Sequence, residues 1–217
     1  LHFGAVDWKT DVWVNDIYVG EHAGGFTPFF FDVSDALKKG NNKLTVRVWD
    51  PTDHGVQPRG KQVHNPEGIW YTPVSGIWQT VWLEPVPGIH ITNLKITPDI
   101  DVQSLNIKVS TNASSNQGIM AEAFVYEGEK LISSAASING QDIQLAMPAN
   151  MKLWSPDNPF LYDVQVRLKR NGKELDGVSS YAAMRKYSTK RDASGIVRLQ
   201  LNNKDLFHFG PLDQGWW

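Results

Sequence analysis

The segment DVWVNDIYVG, Asp11 to Gly20, decides the fold class. Apolar residues alternate with polar ones on both sides of Asn15-Asp16, and a period of two is typical of a half-buried strand. Asn and Asp tolerate the backbone angles of a tight hairpin turn, so the segment predicts two paired strands. The segment KLTVRVW, residues 43–49, has the same period, with its three aliphatic residues on one face. Because no long amphipathic helix pattern occurs, we expect an all-β chain.

Breaks in the alternation indicate where the first domain ends. A single helical turn with Ser34 as its N-cap follows FTPFFFDV, and the segment GIWQTVWLEPV closes the block. We expect a tight turn at Ser75-Gly76 and then one strand from Ile77 to Glu84. Two prolines and a glycine follow directly, and proline has no N–H to donate to a strand ladder. The first predicted domain is therefore residues 1–87.

Short strands also fill a second block, residues 88–187. Six or seven of them recur at the spacing of an immunoglobulin-like sandwich. In YDVQVRL, residues 162–168, one tyrosine, two valines and a leucine share a face, and Asn171-Gly172 marks a hairpin turn. The strand pattern changes in residues 188–217, which are predicted to start with a hairpin whose turn lies at Asn202-Asn203. The two blocks show no fixed-period similarity, so they are not repeats.

The composition excludes several functional classes. The net charge of -2 gives no electrostatic reason to expect nucleic acid or an anionic membrane as a partner. No apolar run approaches the roughly 20 residues of a membrane-spanning helix, and no signal peptide is recognisable. The chain has no cysteine, which excludes disulfides, thiol catalysis and thiolate metal sites, and which leaves the cellular compartment open. Nine tryptophans are compatible with sugar-facing surfaces and equally with large core residues.

Four stretches resemble glycoside hydrolase family 2, the group of β-galactosidases, β-glucuronidases and β-mannosidases. They are DVWVNDIYVGEHAGGFTPFFFDVSDAL (11–37), EGIWYTPVSGIWQTVWLEPV (67–86), LWSPDNPFLYDVQVRL (153–168), and YAAMRKYS through LNNKDLFHFGPLDQGWW (181–217). The resemblance implies a partial jelly-roll, galactose-binding-like sandwich, then an immunoglobulin-like sandwich, then a stub of the catalytic TIM barrel. Two positions depart from the family pattern: Asp16 replaces the usual turn glycine, and Ala182 to Arg185 replaces Gly-Phe-Arg.

The resemblance also implies that the catalytic residues lie outside this chain. The acid/base glutamate of the family follows an asparagine on a barrel strand, and no Asn-Glu pair occurs here. Both ends of the sequence, LHFGAVDW and GWW, look like cuts in a longer protein. We therefore expect no catalytic residue and no metal site. The substrate-binding residues expected from the resemblance are Glu67, Trp70, Tyr71, Asp213, Trp216 and Trp217.

Simpler structural explanations exist for several of the aromatic, acidic and histidine residues in the first domain. Trp70 and Trp78 are equally well explained as packing residues between the jelly roll and the barrel. Asp50 and Asp53, in WDPTDHG, most simply form a turn; a calcium site is the alternative, although no calcium-loop pattern is present. His54 and His64 have the chemistry to join a metal site, but two loop histidines are more often solvated.

Two further residues have local interpretations. Arg185 follows a strand pattern and is predicted to pair with a carboxylate at the domain junction, although an ordinary surface position is the competing view. Asn112-Ala113-Ser114 is a glycosylation triplet that has meaning only in a secreted eukaryotic protein.

Three functions remain open from the sequence. The first is the inert front part of a β-galactosidase-like retaining exo-glycosidase, whose partners are the carbohydrate substrate and the catalytic barrel of the same polypeptide. The second is a stand-alone carbohydrate-binding module, and the third is a structural β-protein. A homo-oligomer is compatible with all three, and no cofactor is expected.

Overall fold

The structure is a computed structural model in which residues 1–115 and 118–212 are described. Strands dominate, and within these ranges the sole helical element is a 3₁₀ turn, Ser34–Ala36. The chain divides into two units, Leu1–Pro85 with residues 210–212, and Val86–Phe209. In the described residues no helix is both long and apolar enough to cross a membrane. The all-β prediction is confirmed.

Unit 1 is a set of short strands arranged in three small sheets. Within the described residues its strands are β1 (His2–Phe3), β2 (Val6–Asp7), β3 (Lys9–Val14), β4 (Ile17–Ala23), β5 (Phe29–Phe30), β6 (Leu44–Trp49), β7 (Gly76–Ile77) and β8 (Val81–Trp82). The strand orders are β5-β1-β8, β2-β7 and β4-β3-β6, and all pairs are antiparallel. The core of the unit lies around the buried side chains of Phe3, Val6 and Val12.

The predicted hairpin joins β3 to β4. Asn15 and Asp16 both have positive φ, 51° and 66°, which is the geometry of a primed two-residue turn. Asn15 also fixes the turn from outside, because its side-chain amide donates to the carbonyl of Ala36 at 2.8 Å and its side-chain oxygen accepts from the N–H of Lys43 at 3.0 Å. The turn therefore tolerates aspartate in place of the family's usual glycine.

Three local predictions for unit 1 are wrong. Ser75-Gly76 does not form a tight turn, since Gly76 begins β7 and pairs with Asp7. Ser34 is the first residue of the 3₁₀ turn and not its N-cap, because Asp32 accepts hydrogen bonds from both the N–H and the hydroxyl of Ser34. The segment 77–84 is not one strand. It contributes β7, which pairs with β2, and β8, which pairs with β1, so the chain changes sheets between them.

Unit 2 contains a two-sheet sandwich. Its strands in the described ranges are β9 (Ile91–Asp99), β10 (Ser104–Thr111), β11 (Ile119–Glu127), β12 (Lys130–Ile138), β13 (Asp142–Ala146), β14 (Tyr162–Arg170) and β15 (Lys173–Ala182). One sheet has the order β13-β10-β9 and the other β12-β11-β14-β15, and both sheets contribute side chains to one buried core. The predicted shared face of β14 is confirmed: Tyr162, Val164, Val166 and Leu168 are all buried.

Beyond the sandwich a third small sheet forms from β16 (Tyr187–Arg191), β17 (Val197–Leu201) and β18 (Lys204–Asp205). The predicted turns at Asn171-Gly172 and Asn202-Asn203 are present, each with two positive φ angles. Tyr187, Val197 and Leu199 on this sheet are each more than half exposed.

Arg185 does not pair with a carboxylate in the part of the chain that the structure describes. Its guanidinium lies over the ring of Trp154, 4.7 Å from the centroid, and 5.3 Å from the ring centroid of Tyr187. In the described ranges the planar guanidinium therefore packs on two aromatic rings, which the sequence places 31 and 2 residues away, where a carboxylate partner was predicted.

Candidate functional site

Two carboxylates, those of Asp7 and Asp50, lie at the ends of neighbouring strands in unit 1. Asp7 is the last residue of β2 and pairs in register with Gly76 of β7. Asp50 follows β6 directly, and the last residue of β6, Trp49, pairs with Lys9 of β3. Because only Trp8 separates β2 from β3, this register brings Asp7 and Asp50 to the same end of neighbouring strands.

The Asp7 carboxyl group is buried and incompletely bonded. The residue is 3% exposed, and its Oδ1 has no hydrogen-bond partner among the described residues. Burial, and in second place the nearby negative charge of Asp50, together raise the pKa of Asp7 from 3.8 to about 6. Glycine is required beside it, since a Cβ at Gly25 would lie 2.7 Å from that Oδ1. Asp7 is therefore a carboxyl group that can change its protonation state near neutral pH.

Asp50 is held in the opposite way, by hydrogen bonds to both of its carboxylate oxygens. Oδ1 accepts from the N–H of Thr52 at 2.8 Å, and Oδ2 accepts from the hydroxyl of Ser75 at 2.6 Å. The N–H of His54 donates to the carbonyl of Pro51 at 2.9 Å, which completes a turn. The predicted turn is present, and Ser75 connects it to the start of β7.

The loop between Gln62 and Ser75 carries three of the predicted binding residues. Trp70 and Tyr71 are 43% and 49% exposed, and Glu67 is also exposed. The N–H of Trp70 donates to the carbonyl of Glu67 at 3.1 Å, which closes a turn. The N–H of Tyr71 donates to the carbonyl of Lys61 at 2.8 Å. The loop is thus folded back on itself and presents two aromatic side chains to solvent.

Two glutamines that the sequence reading missed organise this loop. Gln57 is buried, and its side-chain amide donates to the carbonyl of Thr52 at 2.7 Å. Gln62 is buried as well: it donates to the carbonyl of Arg59 at 3.0 Å, and its side-chain oxygen accepts from the N–H of Val74 at 2.7 Å. A buried glutamine must satisfy both ends of its amide, so these contacts fix the backbone around it. No sequence pattern marks such a residue.

Trp78 packs within unit 1. Its indole N–H donates to the carbonyl of Gly25 at 2.7 Å, and its ring meets that of Phe26 edge to face with centroids 5.7 Å apart. The indole therefore fixes the same glycine segment that adjoins Asp7. The partners of Trp78 in the described residues thus lie inside the jelly roll, and packing of Trp70 and Trp78 against the barrel stays a prediction. Asp213, Trp216 and Trp217 lie outside the described residues.

The structure also brings together Asp53, His54 and His64. A ring nitrogen of His64 and the Asp53 carboxylate form a short hydrogen bond, and the rings of His54 and His64 stack with centroids 4.5 Å apart. Their hydrogen bond lowers the pKa of the Asp53 carboxyl below its usual range. Of the four residues named as possible metal ligands in the sequence, Asp53, His54 and His64 lie together in the structure.

The site has the chemistry of polyol recognition. Carboxylates accept hydrogen bonds from hydroxyl groups, and a protonated carboxyl group donates one as well. Exposed tryptophan and tyrosine rings offer apolar faces for a sugar ring. Glycosidases also use a pair of carboxyl groups for catalysis, but Asp7 is buried and both oxygens of Asp50 accept hydrogen bonds within the chain. The arrangement suits binding better than proton transfer to a glycosidic oxygen.

Family models match almost the whole chain. The sugar-binding domain of glycosyl hydrolases family 2 matches residues 1–87, and the model described as glycosyl hydrolases family 2 matches residues 89–185. The chain belongs to glycosyl hydrolase family 2. Its two matched domains are the sugar-binding β-sandwich and the immunoglobulin-like β-sandwich of that family, in agreement with the two units of the structure.

Curated relatives of this family 2 chain carry glycosidase names. It is 28% identical over 207 residues to the beta-galactosidase of Thermoanaerobacter pseudethanolicus, a match that covers 91% of this chain and 27% of the relative. It is 26% identical over 219 residues to the beta-glucuronidase of Bacteroides fragilis, covering 95% of this chain and 31% of the relative. The chain therefore spans about a quarter to a third of the length of these relatives.

Solved structures show the same fold. A family 2 member from Bacteroides cellulosilyticus aligns with a TM-score of 0.68 at 22% identity, over 94% of this chain and 28% of the solved one. The beta-glucuronidase of Ruminococcus gnavus aligns with a TM-score of 0.70 at 17% identity, over 96% of this chain and 36% of the solved one. These likenesses establish the architecture of the family 2 chain.

Proposed function

We propose that this chain is the non-catalytic front part of a retaining, exo-acting β-glycosidase, most similar to a β-galactosidase. The complete protein would hydrolyse terminal β-glycosidic bonds in carbohydrate metabolism. Support comes from the family membership, from the glycosidase names of relatives that align with the chain over most of its length, and from their three- to fourfold greater length.

One feature carries the role of the chain within that enzyme: the half-buried Asp50 is hydrogen-bonded to Ser75, at the end of the loop that exposes Trp70 and Tyr71. Each carboxylate oxygen of Asp50 accepts one hydrogen bond within the chain, and a carboxylate oxygen can accept a second one from a sugar hydroxyl. We assign Asp50 to hydroxyl recognition and the buried Asp7 to a supporting position beside it, and we retain Glu67, Trp70 and Tyr71 on the adjoining loop as proposed substrate contacts.

The catalytic step itself is assigned to a barrel that follows this chain in the polypeptide. Retaining glycosidases need two carboxyl groups about 5–5.5 Å apart, one as nucleophile and one as acid/base. The apolar face formed by Tyr187, Val197 and Leu199 is a suitable surface for that barrel, since these side chains are more than half exposed on the third sheet of unit 2. Asp213, Trp216 and Trp217 stay proposed contacts at the barrel entry.

The test uses the protein expressed from its natural reading frame. Its rate is measured on a panel of nitrophenyl β-glycosides that includes galactoside, glucuronide and mannoside, and the anomer first released is read by proton NMR. We expect hydrolysis of one β-glycoside with release of the β-anomer. Release of the α-anomer would contradict retention, and no hydrolysis of any β-glycoside would contradict the enzyme assignment.

Carbohydrate binding by the chain alone is a second candidate function. Two observations favour it: residues 1–87 match a domain described as sugar binding, and Trp70 and Tyr71 are exposed together on one loop. Isothermal titration of the chain with methyl β-galactoside and glucuronic acid tests it. Binding that Trp70→Ala abolishes and Trp49→Ala preserves would support this function, because Trp49 is exposed in the same unit but outside the loop. Absence of saturable binding would limit the chain to its role within the enzyme.

A further inference from the structure

Three side chains with metal-binding atoms converge on the surface of unit 1. Asp53 and His54 follow Asp50 closely in the chain, and His64 lies near the start of the loop between Gln62 and Ser75. One ligand atom from each of the three lies within 4.8 Å of the other two. The Nε2 atom of His54 is 4.0 Å from Oδ1 of Asp53, and a ring nitrogen of His64 is hydrogen-bonded to the same Oδ1.

The type of ligand decides which ion fits. Calcium takes six to eight oxygen ligands, and the nearest further carboxylate in sequence, Asp50, has both oxygens committed to Thr52 and Ser75. Two imidazoles and one carboxylate are instead a ligand set of zinc and of neighbouring first-row divalent metals. Three protein ligands leave a fourth position for water.

We propose that Asp53, His54 and His64 form a binding site for a divalent transition metal of the zinc type. The metal takes the place of the proton that His64 shares with Asp53, and that ring proton moves to the other nitrogen of His64. The site lies outside the carboxylate pair Asp7–Asp50, and it does not depend on the glycosidase assignment.

The change in geometry that the metal requires is small. Zinc holds its ligand atoms at about 2.0–2.1 Å, which sets tetrahedral ligands about 3.3 Å apart. The Asp53–His54 separation of 4.0 Å, and separations of up to 4.8 Å among the three ligand atoms, close by rotation of the His54 ring, whose side chain is 75% exposed and which now stacks on His64. The ring nitrogen of His64 and Oδ1 of Asp53 are already closer together than two ligand atoms of one zinc ion.

The backbone around the site is already ordered. The N–H of His64 donates to Oδ2 of Asp53 at 3.4 Å, and the N–H of His54 is bonded to the carbonyl of Pro51. The buried amide of Gln57 holds the carbonyl of Thr52, immediately before Asp53. A metal at this position would cross-link the turn after β6 to the start of the loop between Gln62 and Ser75.

The experiment titrates the tag-free chain with zinc chloride by isothermal titration calorimetry and with cobalt chloride by visible absorption. Variants Asp53→Asn, His54→Gln and His64→Gln are compared with His208→Gln, which changes an exposed histidine outside the cluster. Tryptophan fluorescence verifies that each variant is folded, and His54→Gln is the safest of them because of its exposure. Calcium chloride is titrated in parallel.

We expect one zinc ion per chain with micromolar affinity, an intense four-coordinate cobalt spectrum, and affinity at least tenfold weaker in each cluster variant. His208→Gln binds as the original chain does. The proposal is overturned if zinc does not saturate a single site, or if His54→Gln and His64→Gln bind zinc as tightly as the original chain. Calcium binding that Asp53→Asn abolishes, without zinc binding, would also overturn it in favour of an oxygen-ligand site.

Discussion

Replacing Asp7 by asparagine should change how the stability of unit 1 depends on pH. The folded-state pKa of this carboxyl group is about 6, raised from 3.8 by burial and then by the charge of Asp50. A carboxyl group whose pKa is raised by folding contributes its full stabilisation below its unfolded-state pKa of 3.8, where it is protonated in both states. That stabilisation is lost as the pH rises through the folded-state pKa of about 6. Asparagine has no such titration, so the variant should lack this part of the pH dependence.

The magnitude follows from the size of the shift. One pKa unit corresponds to about 1.4 kcal/mol, so the full shift from 3.8 to about 6 is worth about 3 kcal/mol of unfolding free energy. Between pH 5 and pH 8 roughly half of it, about 1.4 kcal/mol, is lost. When the pH is raised from 5 to 8, the unfolding free energy of Asp7→Asn should therefore rise by about 1.4 kcal/mol relative to that of the original chain.

Tryptophan fluorescence during urea unfolding is a suitable assay. Among the described residues, six tryptophans lie in unit 1 and Trp154 alone lies in unit 2, so the signal reports mainly on unit 1. The difference in unfolding free energy between the variant and the original chain is measured at pH 5 and at pH 8. Asp157→Asn, an exposed change in unit 2, is the control.

A difference that is the same at pH 5 and pH 8 would contradict this prediction, because it would show that Asp7 does not titrate between these values. The role of Asp50 can be separated in the same assay. Because the charge of Asp50 is the second cause of the shift, Asp50→Asn should reduce the pH dependence without removing it.

Three other changes test the packing. Gly25→Ala should destabilise unit 1 by about 1–3 kcal/mol in the same urea assay, since the new Cβ would lie 2.7 Å from Oδ1 of Asp7; an unchanged midpoint would contradict the close approach. Leu168→Ala should cost unit 2 about 2–5 kcal/mol by calorimetry, whereas the exposed Leu161→Ala should cost little, and equal effects would be inconsistent with the sandwich core. Arg185→Lys should cost about 1 kcal/mol in unit 2, because lysine keeps the charge but loses the planar stacking on two rings; no loss would show that the stacking contributes nothing.

Features set by neighbouring residues were predictable from the sequence. The three hairpin turns at Asn15-Asp16, Asn171-Gly172 and Asn202-Asn203 have the predicted positions, because their backbone angles depend on the turn residues themselves. The buried face of β14 was also predictable, since period-two alternation fixes which side chains share a face.

Features set by distant strands were not predictable in the same way. The segment 77–84 alternates like one strand, yet its two halves pair with β2 and β1, and alternation does not identify pairing partners. Asp7 looked ordinary in sequence, because its burial depends on Gly25 and on β7. The stacking of Arg185 likewise depends on Trp154, which lies on a segment before β14.

For the candidate site, the sequence offers three loop residues and no carboxylate pair. Glu67, Trp70 and Tyr71 are expected substrate contacts from the family resemblance; they lie on an exposed, hydrogen-bonded loop, and their role stays a prediction. The carboxylate pair Asp7–Asp50 was missed, since 43 residues separate its members and no motif links them. The register between β3 and β6 was the missing information.

The most direct test of substrate binding by unit 1 is the effect of Asp50→Asn on catalysis by the protein expressed from its natural reading frame. The measurement is kcat/KM on the best β-glycoside of the panel, with Asp157→Asn as control. If Asp50 recognises sugar hydroxyls, kcat/KM should fall about 10- to 100-fold, the usual effect of losing a charged hydrogen bond, while the folded state is preserved. A folded Asp50→Asn enzyme within twofold of the original would contradict the claim that this end of unit 1 binds the substrate.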